Sequence, residues 1–116
     1  ACVTWPLCNG DVFPQGLPSA IHMGHRYVAL IVGVFLLYSV HLGFRGGDRS
    51  QDLRFLSMAV AGLFGLQIAV GAAMILFGFP IHMVAFHLAL GSALWATIAA
   101  TAFSSLARPS NVEAVS

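Results

Sequence analysis

Five histidines stand in a chain of 116 residues that has only five basic and four acidic side chains, all five basic ones arginine. Imidazole is the commonest metal ligand and the side chain most easily charged near neutral pH, so these positions bound the chemistry open to the chain. His25 and His87 lie within long apolar runs, His22 precedes His25 by one helical turn, and His41 and His82 lie near run ends. Arg26 adjoins His25 and offers a permanent cation to an anionic group. Cys2 and Cys8 are six positions apart and suit a disulfide, a metal pair or two unrelated thiols; with no second pair, a tetrahedral zinc site is disfavoured.

The elements that carry these groups are read from hydropathy. Residues 20–44 are nearly uncharged, residues 55–79 carry no charge at all, and residues 81–106 hold only two titratable groups, His82 and His87. About 20 helical residues cross a hydrocarbon core of about 30 Å, so each run is long enough. Three buried helices of a soluble bundle would need a polar outer stripe, which residues 55–79 lack. With 59% hydrophobic and 8% charged residues, the expected class is an all-α membrane protein. Its three transmembrane helices are expected at about 20–43, 54–77 and 81–106, within a membrane domain spanning 20–107. The net charge of +1 gives no footprint for nucleic acid.

Residues 1–19, with Trp5-Pro6, Asn9-Gly10 and Leu17-Pro18 as turn signals, read as an ordered loop. Arg45, Arg49 and Arg54 cluster between the first two helices and Arg108 follows the third, which predicts a cytoplasmic location for that linker and for the 108–116 tail. The cysteine loop and the Gly78-Phe79-Pro80 turn then face outward, where a disulfide is permitted. Arg26 falls at the outer membrane edge and needs a partner, which an anionic ligand would supply. The chain starts at Ala1 with no methionine and no recognisable signal peptide, and is expected to be processed or cut from something longer.

On this topology His25 and His87 sit at comparable depth, about 8 to 10 Å below the outer helix ends. Two readings stand. They are rim residues bonded to backbone or headgroups, as His41 and His82 are read, or they face one another as axial ligands of a haem iron with Arg26 near the propionates. His22 is about 60° from His25 around the helix and shares its face, whereas His82 and His87 differ by about 140° and do not suit one iron. The middle helix is rich in small residues, including Gly62, Gly65, Gly71, Ala72 and Ala73, which permit close helix approach or a flat porphyrin face. Its Gln67 is expected to bond across to another helix.

The run Trp5-Pro6-Leu7-Cys8-Asn9-Gly10, Pro14, the His25-Arg26 pair, Gln67 with Gly71-Ala72, and His87-Leu88-Ala89-Leu90 together resemble the haem A synthase family, from Cys2 to about Phe103. That resemblance implies eight transmembrane helices in two similar four-helix halves, each with a haem-binding histidine pair. This chain is similar to helices two to four of the amino-terminal half, an incomplete four-helix haem-binding half. The family oxidises a methyl group of haem O to the formyl group of haem A for terminal oxidase assembly.

The resemblance further implies haem (b-type, or haem O or A) ligated by His25 and His87, with Arg26 beside it, and a Cys2–Cys8 disulfide. It implies an inner-membrane location and, as partners, further transmembrane helices, haem O synthase or oxidase assembly factors. The family's glutamate three residues before the His-Arg pair is here His22. Imidazole accepts a proton but lacks a permanent negative charge for stabilising a cation. Two functions follow: an oxidoreductase with His22 as its base, or a non-catalytic haem-binding or structural subunit of a larger electron-transfer complex.

Overall fold

The computed structural model describes residues 2–45 and 51–107. Arg49, Arg108 and the 108–116 tail, on which part of the charge argument rests, lie outside the described residues. The chain is all-α and holds three helices, α1 (Leu17–Arg45), α2 (Gln51–Leu76) and α3 (Ile81–Leu106), each long and apolar enough to cross a membrane. α1 begins earlier than the Leu17-Pro18 turn signal suggests. Proline at the start of a helix surrenders only an N–H that has no intrahelical partner anyway, so the pair opens the helix rather than delaying it.

Side chains facing away from the other helices are large and apolar: Phe35, Trp95 and Phe103 are 68%, 73% and 76% exposed. Water would penalise such a surface and lipid does not. Within a bilayer, helices associate through close packing rather than through hydrophobic expulsion. Here the closest approach is at Gly33 of α1, which is buried against the Phe64 ring of α2. Phe64 itself packs with Val60 and Leu94, flanked by Leu36, Leu63 and Ile98, so this one cluster ties all three helices together.

α2 and α3 form a tight antiparallel hairpin. Gly78 (φ 73°) and Phe79 (φ 59°) adopt left-handed conformations, the Phe79 N–H donates to the Met74 carbonyl at 2.8 Å, and the Gly78 N–H donates to the Ile75 carbonyl at 3.2 Å. This is the Schellman arrangement that closes a helix C-terminus. Pro80 then caps the start of α3 in an extended conformation. α2 packs along both of its neighbours, while α1 and α3 do not pack directly on each other among the described residues.

The amino-terminal loop folds onto the first turns of α1. Asn9 (φ 54°) and Gly10 (φ 90°) form the central pair of a turn closed by Cys8 N–H to Asp11 carbonyl (3.1 Å) and Asp11 N–H to Cys8 carbonyl (3.0 Å). Positive φ at both central positions is what an Asn-Gly pair supplies most readily. Cys2 and Cys8 form a disulfide, fully buried and packed on Met23 of α1 beside Tyr27. The Tyr27 hydroxyl donates to the Val12 carbonyl at 2.6 Å and anchors the rest of the loop.

Two outcomes follow. A methyl added at Gly33 would lie 2.5 Å from the Phe64 ring. Gly33→Ala should therefore lower the unfolding midpoint in detergent at a cost of about 1–3 kcal/mol, and adding Phe64→Leu should recover part of the loss; an unchanged midpoint for Gly33→Ala contradicts the packing. The intact mass without reductant should fall short of the reduced mass by the hydrogens lost on disulfide formation, and two thiols freely alkylated in the native chain would refute the bridge.

Candidate functional site

The end of the bundle nearest the cysteine loop brings together His22, His25, Arg26, Gln67 and His87. His25 from α1 and His87 from α3 approach with ring centroids 6.5 Å apart and planes inclined at 74°. They reach one another although their helices do not pack together, so the side chains alone cross the gap. His87 is half-buried and His25 is exposed.

His87 is held from the α2 side. Gln67 Nε2 lies 3.3 Å from His87 Nε2, while His87 Nδ1 and Gln67 Oε1 are buried without hydrogen-bond partners among the described residues. The ring lies over Gly71, where an added Cβ would come within 3.1 Å of its Cε1. Gln67 lies over Gly91, where an added Cβ would come within 3.1 Å of its Nε2.

At the rim, Arg26 Nη1 donates to the Pro6 carbonyl at 2.8 Å, and its Nε and Nη2 are buried without partners. The loop thus aims the guanidinium but leaves two of its donor nitrogens unanswered. An unpaired buried cation is costly, and a carboxylate or other anion is the group that would complete it.

His22 accepts a hydrogen bond at Nδ1 from the Cys2 backbone N–H (3.3 Å), and its ring lies 5.8 Å from that of Phe79 in the α2–α3 turn. An imidazole that accepts at Nδ1 carries its hydrogen on Nε2 when neutral. In this arrangement His22 presents a donor rather than a free base.

The chain therefore brings His25, His87, Arg26 and His22 to one end of the bundle, with the Cys2–Cys8 bridge stacked above them. His41 and His82 are exposed and are no part of this cluster. Gln67 does bond across helices, but its target, His87, was not evident from sequence, nor were the facing glycines. The available signal was spacing: Gln67 and Gly71 share one face of α2, and His87 and Gly91 share one face of α3, each pair four residues apart.

The protoheme IX farnesyltransferase of Haloarcula marismortui is 34% identical over 95 residues, which are 82% of this chain and 20% of that protein. The haem A synthase of Bacillus licheniformis is 30% identical over 96 residues, 82% of this chain and 32% of that protein. The haem A synthase of Staphylococcus epidermidis is 30% identical over 86 residues, 72% of this chain and 28% of that protein. The chain thus spans a fifth to about a third of the length of these relatives. No solved structure matches it. Residues 1–99 match a family described as cytochrome oxidase assembly protein, a stretch that takes in the cysteine loop, α1, α2 and the histidine-bearing half of α3, and the chain therefore belongs to the COX15-CtaA family.

Proposed function

We propose that this chain forms one haem-binding half-site of a membrane oxidoreductase of haem A biosynthesis, with the iron held between His25 and His87. The observation that carries the reading is the meeting of two imidazoles from helices that otherwise stand apart. Metal–imidazole bonds are about 2 Å long, so two rings on opposite sides of one ion have centroids a little over 6 Å apart. The 6.5 Å separation suits that arrangement. The unpartnered Nε and Nη2 of Arg26 suit a ligand with an anionic edge.

An iron porphyrin between two imidazoles supplies a one-electron redox centre whose potential is tuned by its ligands and burial. Arg26 would bind the propionates and fix which edge faces outward. His22 would handle the proton as the methyl substituent of haem O is oxidised to formyl, the oxygen coming from water and the electrons leaving to a membrane acceptor. For that role its Nδ1 must part from the Cys2 amide, a contact long enough at 3.3 Å to break readily.

The proposed orientation puts the cysteine loop outside the cell inner membrane and the carboxy-terminal tail in the cytoplasm. The proposed partners are further transmembrane helices, oxidase assembly factors and the enzyme that makes haem O. For the last, the support is that a segment similar to this chain lies within a protein named protoheme IX farnesyltransferase.

A non-catalytic haem-binding or structural subunit of an electron-transfer complex is the second reading. It is favoured by one observation, that His22 stands where a carboxylate belongs in the family resemblance and is already bonded to the loop.

Purified chain reconstituted with haem should show a low-spin bis-histidine spectrum, lost in His25→Ala and in His87→Ala; absence of that spectrum from the unsubstituted chain would sink the haem reading. Conversion of haem O to haem A by the chain with its companion helices separates the two functions. Turnover that falls roughly 100-fold in His22→Ala, with the haem spectrum retained, supports His22 as the proton-handling group, and unchanged turnover removes that role.

A further inference from the structure

Gln67 and His87 meet through two reciprocal contacts across the α2–α3 hairpin. The bulky residue of each pair sits over the glycine of the other: His87 over Gly71 and Gln67 over Gly91. A methyl at either glycine would press its neighbour back by a few tenths of an ångström, so both side chains are closely seated.

The chemistry of the contact is asymmetric. A side-chain amide nitrogen has hydrogens to give and no lone pair to accept with. With Gln67 Nε2 3.3 Å from His87 Nε2, the contact is a hydrogen bond only in the tautomer whose Nε2 accepts and whose ring hydrogen is on Nδ1. A metal-bound histidine ordinarily donates its other ring N–H to a supporting acceptor. Here Nδ1 has no such partner among the described residues, and the contact falls instead on Nε2, the nitrogen farther from the backbone and the less crowded for a metal. One lone pair cannot serve an amide and an iron at once.

We infer that Gln67 is a cap: it occupies the Nε2 lone pair of His87 in the ligand-free chain and is displaced when a metal takes that nitrogen. A bare buried acceptor is costly in a low-dielectric site, and the cap removes that cost while holding the ring over Gly71. Gln67 is thus a positioning residue whose hydrogen bond competes with the ligand. The displacing metal rests on the haem reading above, whereas the cap itself does not.

The test has two arms. In the haem-free chain labelled with 15N-histidine, NMR should find His87 in a single tautomer with Nε2 unprotonated, and Gln67→Leu should give a mixture. In haem titrations followed by absorbance, Gln67→Leu should bind about fivefold more tightly than the unsubstituted chain, the equivalent of one ordinary hydrogen bond removed from competition. Gly91→Ala should act in the same direction, because its methyl pushes the amide off His87 without deleting it. A protonated Nε2 in the haem-free chain overturns the cap, and so does weaker haem binding by both variants, which would make Gln67 a support. If no form binds haem while the tautomer remains fixed and depends on Gln67, the cap stands and the haem reading is what fails.

Discussion

The antiparallel register of α2 and α3 decides where every polar group of that hairpin falls. It is set by the turn in which Phe79 bonds back to Met74. Gln67 and Gly91 lie twelve residues to either side of Phe79, and Gly71 and His87 lie eight to either side. Both contacts are therefore consequences of one hairpin centre. A residue inserted into the turn would rotate α3 by about 100° relative to α2 and take His87 off Gly71, leaving two polar side chains facing lipid. Backbone polarity within a bilayer is satisfied by the helices themselves, so it is the side-chain polar groups that demand a particular register.

The loop end of the bundle obeys a second constraint, which is how a short segment without a helix of its own stays attached to a membrane helix. The Cys2–Cys8 bridge makes the loop a compact unit, and three polar contacts fasten it: Cys2 to His22, Pro6 to Arg26 and Val12 to Tyr27. His22, Arg26 and Tyr27 lie on about one and a half turns of α1, with Arg26 about 40° and Tyr27 about 140° around the helix from His22, so the loop wraps across more than one face. The residues of α1 with the most evident chemistry are thus also the ones that hold the loop. His22 and Arg26 each commit one polar atom to it and keep others for something else.

The hairpin and the helix count were legible in the sequence because bilayer thickness and hydropathy leave few alternatives for three uncharged runs of this length. The equal depth of His25 and His87 followed from rise per residue, and the Asn9-Gly10 turn from the conformations those residues tolerate. What spacing could not reveal was rotation. Whether Gln67 faced His87, His25 or lipid depended on how α2 sits between its neighbours, which is governed by the Gly33–Phe64 contact and the exact form of the turn. The start of α1 was obscured for another reason: Leu17-Pro18 is a turn signal only where the chain does not go on to form a helix, and proline is equally at home in a first helical turn.

The site is finished on one side and open on the other. His87 is held by Gln67, seated over Gly71 and carried on a hairpin whose register is locked, whereas His25 is exposed and its helix touches the bundle chiefly lower down, around Gly33 and Phe64. A flat ligand entering between α1 and α3 would thus meet a fixed imidazole on one face and a less constrained one on the other. Freedom in α1 costs affinity, because its ordering must be met from the binding energy, but it opens a lateral path that a fully packed bundle would close. The same asymmetry assigns a task to any further helix that packs here: covering the exposed face of His25 would exclude water and lower the dielectric around the two imidazoles without touching His87.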